Sequence, residues 1–261
     1  MVIIVSIIVL GLLGFTFAAF LALAADYFKI EEDPRIAAIM TILPGANCGA
    51  CGAAGCRDFA EKLIKGEAAV SGCTVGGAEV AKKIAQIMGT EGFEVHKKVS
   101  AVHCGAKKEQ RKLKANYSGV QTCTAADMVD AGGLACAYGC LGYGDCYCVC
   151  PFDAIRMKDG LPAIDPEKCT ACGKCVVACP RKIISLRPYD FAVVVACSSH
   201  DKGADTRKNC PVGCIACLIC EKQVPEVYKV VDNLADMDYT KSGINCDPAI
   251  EKCPTRCILK V

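Results

Sequence analysis

The run CTACGKCVVACP, residues 169–180, sets four cysteines within twelve positions and ends on proline. Cys169-x2-Cys172-x2-Cys175-x3-Cys179-Pro180 is the spacing used for cubane iron–sulfur clusters. Three thiolates in a tight loop can wrap three iron corners of one cube. The fourth, ahead of a proline, faces away and must serve a second cluster. The spacing therefore demands a partner run, and Cys136-x3-Cys140-x5-Cys146-x3-Cys150-Pro151 supplies one. CPFDAI follows one run and CPRKII the other. On this reading Cys136, Cys140, Cys146 and Cys179 hold one cluster. Cys150, Cys169, Cys172 and Cys175 hold its neighbour, and Cys148 is spare. Structural zinc also uses C-x2-C pairs, but it does not account for three-plus-one runs closed by Cys-Pro and then duplicated.

Composition agrees with small stapled modules rather than one large apolar core. Cysteine occurs 23 times in 261 residues and Trp is absent. An odd count argues against a complete disulfide framework, and so many thiols suit a reducing compartment. A formal charge of +2 gives no case for nucleic acid.

A further set lies upstream. LPGANCGACGAAGC holds Cys48-x2-Cys51-x4-Cys56, and Cys73 follows. Glycines let the loop close around a cluster and point N–H groups at it. RDFAEKLIKGEAAV reads as an amphipathic helix with Phe59, Leu63 and Ile64 on one side, returning Cys73 as the fourth ligand. Zinc is the plain alternative here.

Downstream, CPVGCIACLICEKQVP repeats the earlier frame at an offset of 74 residues. Cys214, Cys217, Cys220 and Cys253 complete a fourth [4Fe–4S] set after the three above. Val224, Gly243 and Ala249 stand where its neighbour's ligands would be. Cys197, Cys210, Cys246 and Cys257 are left over; they could rebuild a site in a new geometry, which spacing alone does not show. Cys104 and Cys123 lack close partners and read first as buried thiols, but both lie just outside cluster runs and remain candidate ligands.

Residues 2–25 carry no charge. As a helix they reach about 36 Å, against roughly 30 Å of hydrocarbon. A cleaved signal peptide ending near Ala22-Leu23-Ala24 is the alternative. No Lys or Arg precedes the run, and the run exceeds a typical signal core, so a retained anchor is expected. Lys29 and Arg35 after the span favour a cytoplasmic C-terminal part.

The expected fold is α+β. A transmembrane helix (1–25) leads to a small helical 4Fe–4S domain (26–92). A connecting segment (93–127) carries the basic run KKEQRKLK. A two-cluster, bacterial-ferredoxin-like domain of βαβ type (128–188) follows, then a degenerate copy (189–261) opened by the strand FAVVVAC. No dinucleotide fingerprint, Walker loop or other catalytic constellation is present. Several clusters in one chain read as an electron wire.

LPGANCGACGAAGC with Cys73, ACAYGCLGYGDC…CPFDAI, CTACGKCVVACP and CSSHDKGAD resemble the B component of the Rnf complex along essentially the whole chain. The resemblance implies a subunit of a redox-driven, ion-translocating ferredoxin:NAD oxidoreductase. It would accept electrons from soluble ferredoxin and pass them to other membrane and peripheral subunits. It would sit single-pass in the lipid bilayer of a bacterial or archaeal inner membrane, soluble domains on the cytoplasmic side, with flavin and nicotinamide chemistry in other subunits. The rival readings are an iron–sulfur subunit of a different membrane redox complex and a metal-binding assembly module without electron transfer.

Overall fold

The computed structural model describes residues 1–27, 33–90, 96–241 and 243–261. Lys29, used above to orient the span, and residues 91 and 92 of the expected helical domain lie outside them. The chain mixes short helices and strands behind one N-terminal apolar helix.

Helix α1, Val2–Tyr27, is 26 residues, about 39 Å at 1.5 Å per residue. Its stretch Ile3–Ala24 is long and apolar enough to cross a membrane. Residues 3–23 are all exposed, so their apolar surface is free to face lipid. Three helices follow, α2 (Pro34–Ile42), α3 (Cys56–Ile64) and α4 (Gly77–Met88). Proline opens α2, where its missing N–H costs nothing, and the Asp33 carboxylate caps it by accepting from the Arg35 N–H at 2.9 Å. Ile39, Phe59, Leu63 and Ile84 interlock in one small core. Phe59 and Leu63 thus bury the face that the helical period assigns them, and Ile64 packs at its margin.

The remainder is built twice. In the first copy, β1 (Lys98–Val102) pairs antiparallel with β4 (Ile184–Pro188), Val102 opposite Ile184. Between them come α5 (Cys123–Asp127), α6 (Asp145–Cys148), the hairpin β2 (Ile155–Lys158) and β3 (Leu161–Ile164), and α7 (Lys174–Ala178). In the second copy β5 (Val193–Val195) pairs with β8 (Ile258–Lys260). Between these lie α8 (Gly203–Asn209), α9 (Ile219–Gln223), the hairpin β6 (Tyr228–Val231) and β7 (Leu234–Met237), and α10 (Asp247–Glu251). Asp159-Gly160 and Asp232-Asn233 turn the two hairpins, all four residues at positive φ, as a two-residue turn matched to strand twist requires.

Two expectations change. The segment 93–127 is more than a connector, because β1 within it supplies the outer strand of the first copy. The 74-residue offset slips to 73 through the hairpins, since Val224 to Tyr228 is one residue shorter than Cys150 to Ile155. It is restored at β4 and β8.

Candidate iron–sulfur centres

Three loops share one backbone signature. After the first cysteine, the second and fourth residues have positive φ: Gly142 and Gly144 after Cys140, Ala171 and Gly173 after Cys169, Ala216 and Leu218 after Cys214. Gly144, Gly173 and Leu218 then start α6, α7 and α9. Such alternation turns successive N–H groups and side chains inward around a concave space. Alanine and leucine adopt it at a conformational cost, so the loop shape is imposed from outside the local sequence. In the first loop Tyr143 occupies the place that Cys172 and Cys217 occupy in the others.

Cys48, Cys51, Cys56 and Cys73 line one cavity, walled by Pro44, Phe59 and Val75. The Asn47 Oδ1 accepts from the Cys56 N–H at 2.8 Å and fixes the start of α3. A side chain on Gly55 would strike that same oxygen, 2.9 Å from an ideal Cβ. The Gly76 N–H donates to the Cys73 sulfur at 3.4 Å.

Cys140, Cys146 and Cys179 line a second cavity, and the fourth thiol there is Cys123. Cys136, the ligand expected from spacing, borders a different cavity. The physical reason is the loop register. The loop 140–146 shares the backbone of the loops at Cys169 and Cys214 but has Tyr143 at its middle position, and the further sulfur in its cavity is that of Cys123. Asp145 brings it: its carboxylate accepts from the Cys123 N–H at 2.8 Å and from the Thr124 N–H and hydroxyl, each at 3.0 Å. Burial opposes charge on Asp145, but these donors prevail and hold its carboxyl below the usual range.

Cys150, Cys169 and Cys172 all lie within electrostatic reach of Cys175. Ser100 of β1 sits among them. Its N–H donates to the Cys169 sulfur at 3.4 Å, and its hydroxyl lies 3.6 Å from Cys169 and 3.3 Å from Cys175.

In the second copy Cys214, Cys217, Cys220 and Cys253 line one cavity together with Cys257. Cys253 and Cys257 sulfurs are 3.6 Å apart. Val224, Cys246 and Ala249 lie instead in an apolar core with Phe191, Tyr228 and Met237. Tyr228 and Ala249 are fully buried. Aromatic and aliphatic bulk fills this region of the second copy. Cys148 is exposed.

Among the described residues no three His, Cys, Asp or Glu side chains converge closely enough to hold one metal ion. Burial pushes the Cys140 and Cys146 thiols up to about 12. Thiols so placed are neutral until iron supplies compensating positive charge, and ligation then releases their protons. Four thiols around a space of this kind fit a [4Fe–4S] cluster.

The basic run 107–114 is exposed apart from Arg111, and some of its cations are paired. Lys107 pairs with Asp159 at 2.9 Å and Lys114 with Asp130 at 2.6 Å. Arg111 folds inward, donating to the Ala106 and Gly160 carbonyls at 3.0 and 2.7 Å. Spacing left Cys123 a weak candidate and did not single out Ser100 or Asp145, which lie at these cavities. The signal for Cys123 was Tyr143 breaking the loop frame; a lone serine and aspartate carry none.

Two family models match parts of the chain. The FeS family, an Fe-S cluster family, matches residues 43–75, and the Fer4 family, a 4Fe-4S binding domain, matches residues 162–185. The chain is 45% identical to the B component of the Na(+)-translocating ferredoxin:NAD(+) oxidoreductase complex of Acetobacterium woodii, over 98% of this chain and 77% of that protein. It is 40% identical to the B component of the ion-translocating oxidoreductase complex of Methanosarcina acetivorans, over 98% of each. It is 37% identical to the B component of the proton-translocating ferredoxin:NAD(+) oxidoreductase complex of Clostridium ljungdahlii, over 98% of this chain and 92% of that one.

Proposed function

Because the chain belongs to the B-component family of ion-translocating oxidoreductase complexes, we propose that it is where reduced ferredoxin delivers electrons to such a complex. It is a membrane-anchored iron–sulfur electron-transfer subunit with 4Fe–4S domains. The observation that carries the proposal is the succession of thiol-ringed cavities along one chain behind one apolar helix. Iron–sulfur clusters supply reversible one-electron transfer when bound. The protein's part is to hold them apart from bulk water, tune them by hydrogen bonds and tether them to a membrane.

The ligand sets we assign are Cys48, Cys51, Cys56 and Cys73; Cys123, Cys140, Cys146 and Cys179; Cys150, Cys169, Cys172 and Cys175; and Cys214, Cys217, Cys220 and Cys253. The two built-alike copies, 98–188 and 193–260, are tandem ferredoxin-like units, the second with one cluster lost. The membrane is a bacterial or archaeal inner membrane with these units on its cytoplasmic side, where soluble ferredoxin is found. The lipid bilayer and further subunits of the complex are its other partners.

Anaerobic iron and sulfide analysis, then low-temperature EPR during titration with reduced ferredoxin, tests the function. At least about sixteen irons in cubane sites, reduced by ferredoxin with interacting signals, is the expected result. Zinc without sulfide sinks the wire; clusters that ferredoxin leaves oxidised remove the donor.

Ser100 offers a finer test. Its hydroxyl at 3.3 Å from the Cys175 sulfur favours the more negative, reduced state of a cluster held there. Ser100→Ala is expected to lower that centre's midpoint potential by roughly 40 mV, taking about 1 kcal/mol of differential hydrogen bonding and about 59 mV per tenfold change. EPR-monitored potentiometry checks it; an unmoved midpoint would show the hydroxyl is indifferent to redox state.

A further inference from the structure

Cys104, Cys136, Cys197 and Cys210 border one cavity, although 106 residues of sequence separate the first from the last. None belongs to the four sets above. The chain brings them together by repeating itself. Cys104 follows the end of β1 by two residues and Cys197 follows the end of β5 by two. Cys136 and Cys210 each open the same pattern, Cys136-Ala137-Tyr138-Gly139-Cys140 and Cys210-Pro211-Val212-Gly213-Cys214. Each copy therefore contributes two equivalent thiols, and the cavity lies between the copies.

The segments after β1 and β5 are fastened side by side. The Gly105 N–H donates to the Ala196 carbonyl at 2.9 Å, and the Ser198 hydroxyl donates to the His103 carbonyl at 2.9 Å. The His103 Nδ1 lies 2.9 Å from the Val195 carbonyl oxygen. Gly105 allows this approach, because an ideal Cβ there would come within 3.2 Å of the Ala196 methyl. Tyr138, which borders the cavity, packs edge to face against the His200 ring at 5.7 Å.

The sulfurs carry the hydrogen bonds seen at the ferredoxin loops. Cys140 and Cys214 accept from the N–H two residues on, at Gly142 and Ala216. Cys136, Cys197 and Cys210 do likewise, from Tyr138, Ser199 and Val212. Cys104 accepts from the Cys140 N–H at 3.4 Å. Arg111 also borders the cavity and supplies positive charge to a site of four thiolates. The open space there, about 560 Å³ with solvent included, is no smaller than the 370 Å³ at the cavity holding Cys123, Cys140, Cys146 and Cys179.

We propose that Cys104, Cys136, Cys197 and Cys210 hold an additional [4Fe–4S] cluster, shared between the two copies and lying between the clusters of each. The proposal rests on the cluster-bearing reading of the chain and goes beyond it. It assigns Cys136 to this site rather than to the one with Cys140, and it makes the boundary between the copies a step in the wire.

Iron and sulfide counts on anaerobically reconstituted full-length chain test it, with Mössbauer spectra to identify cubanes. Wild type is expected to carry about twenty irons. Cys136→Ala and Cys210→Ala each lose about four, and the double variant Cys136→Ala/Cys210→Ala loses no more than either alone. Cys136→Ala/Cys123→Ala loses about eight, because these thiols serve different clusters. Cys148→Ala loses none. The proposal is overturned if Cys136→Ala/Cys123→Ala loses only about four irons, which returns Cys136 to the cluster of Cys140. A Cys210→Ala chain with its full iron overturns it too, even where Cys136→Ala fails to fold. Absence of sulfide from wild type would sink the whole wire, so the two failures are distinguishable.

Discussion

Anaerobic removal of iron and sulfide is expected to unfold residues 98–188 rather than leave an empty scaffold. Among the described residues this part has only two two-stranded sheets and helices of four or five residues. A lone strand pair is marginal in water, and so is a helix far below a dozen residues. Much of the core is sulfur: Cys140, Cys146 and Cys175 are half of one buried cluster, and Cys169 belongs to another. Stripped of iron, these become buried neutral thiols around voids. Metal-binding energy is then folding energy, on the order of 10 kcal/mol per site by analogy with structural zinc. The second copy should resist longer, because Phe191, Val193, Val227, Tyr228, Met237 and Ile258 give it an apolar core of its own. Far-UV circular dichroism and limited proteolysis read this directly. Cleavage within 98–188 should precede cleavage within 193–260. Full protection of 98–188 after iron removal would show that the clusters are guests in a scaffold stable without them.

Cys123→Ala is expected to abolish electron flow from reduced ferredoxin through the assembled complex. The loss should exceed about 100-fold, since outer-shell changes alone cost roughly 10- to 100-fold at metal sites. Cys148→Ala, exposed and outside every set, should leave the rate unchanged. The comparison is demanding because spacing alone ranks the two alike: neither fits the Cys-Pro frame. The structure distinguishes them: Cys123 borders the cavity of Cys140, Cys146 and Cys179, where Asp145 holds the Cys123 and Thr124 N–H groups, and Cys148 is exposed. Asp145→Ala should therefore mimic Cys123→Ala in part, losing the same cluster on dilution or mild chelation while the others persist. Normal turnover in Cys123→Ala, with full iron, would remove this thiol from the wire.

Cluster chemistry was legible in the sequence wherever ligands crowd together. C-x2-C-x2-C loops followed by Cys-Pro are local devices, and the 74-residue offset follows from counting. The apolar helix was legible by length, and the face of α3 by period. What escaped is non-local. Cys123 reaches the cavity of Cys140 beside a carboxylate twenty-two residues away that ties its helix to α6. The pairing of β1 with β4 joins residues some eighty positions apart, so KVSAV gives no sign of it beyond an ordinary strand pattern. Ser100 matters only because that pairing carries it to Cys169 and Cys175. The offset also hid a one-residue deletion ahead of β6, because cysteine positions before and after it agree.

The pairing of first strand with last also governs the order of events as the chain is made. Domains generally fold N-terminal first during synthesis. The helical unit around Cys48 to Cys73 is contiguous in sequence and can close early. The first copy must wait for β4, since β1 has no partner until residues 184–188 emerge. Its thiols stay uncovered meanwhile, through more than eighty residues of translation. That interval exposes them to oxidation and to the wrong metal, and it sets when cluster-delivery machinery must act. The contacts of His103 and Gly105 with Val195 and Ala196 form later still. Maturation is thus staged along the ribosome's direction of travel, with the seam between the copies sealed after each side has begun to fold.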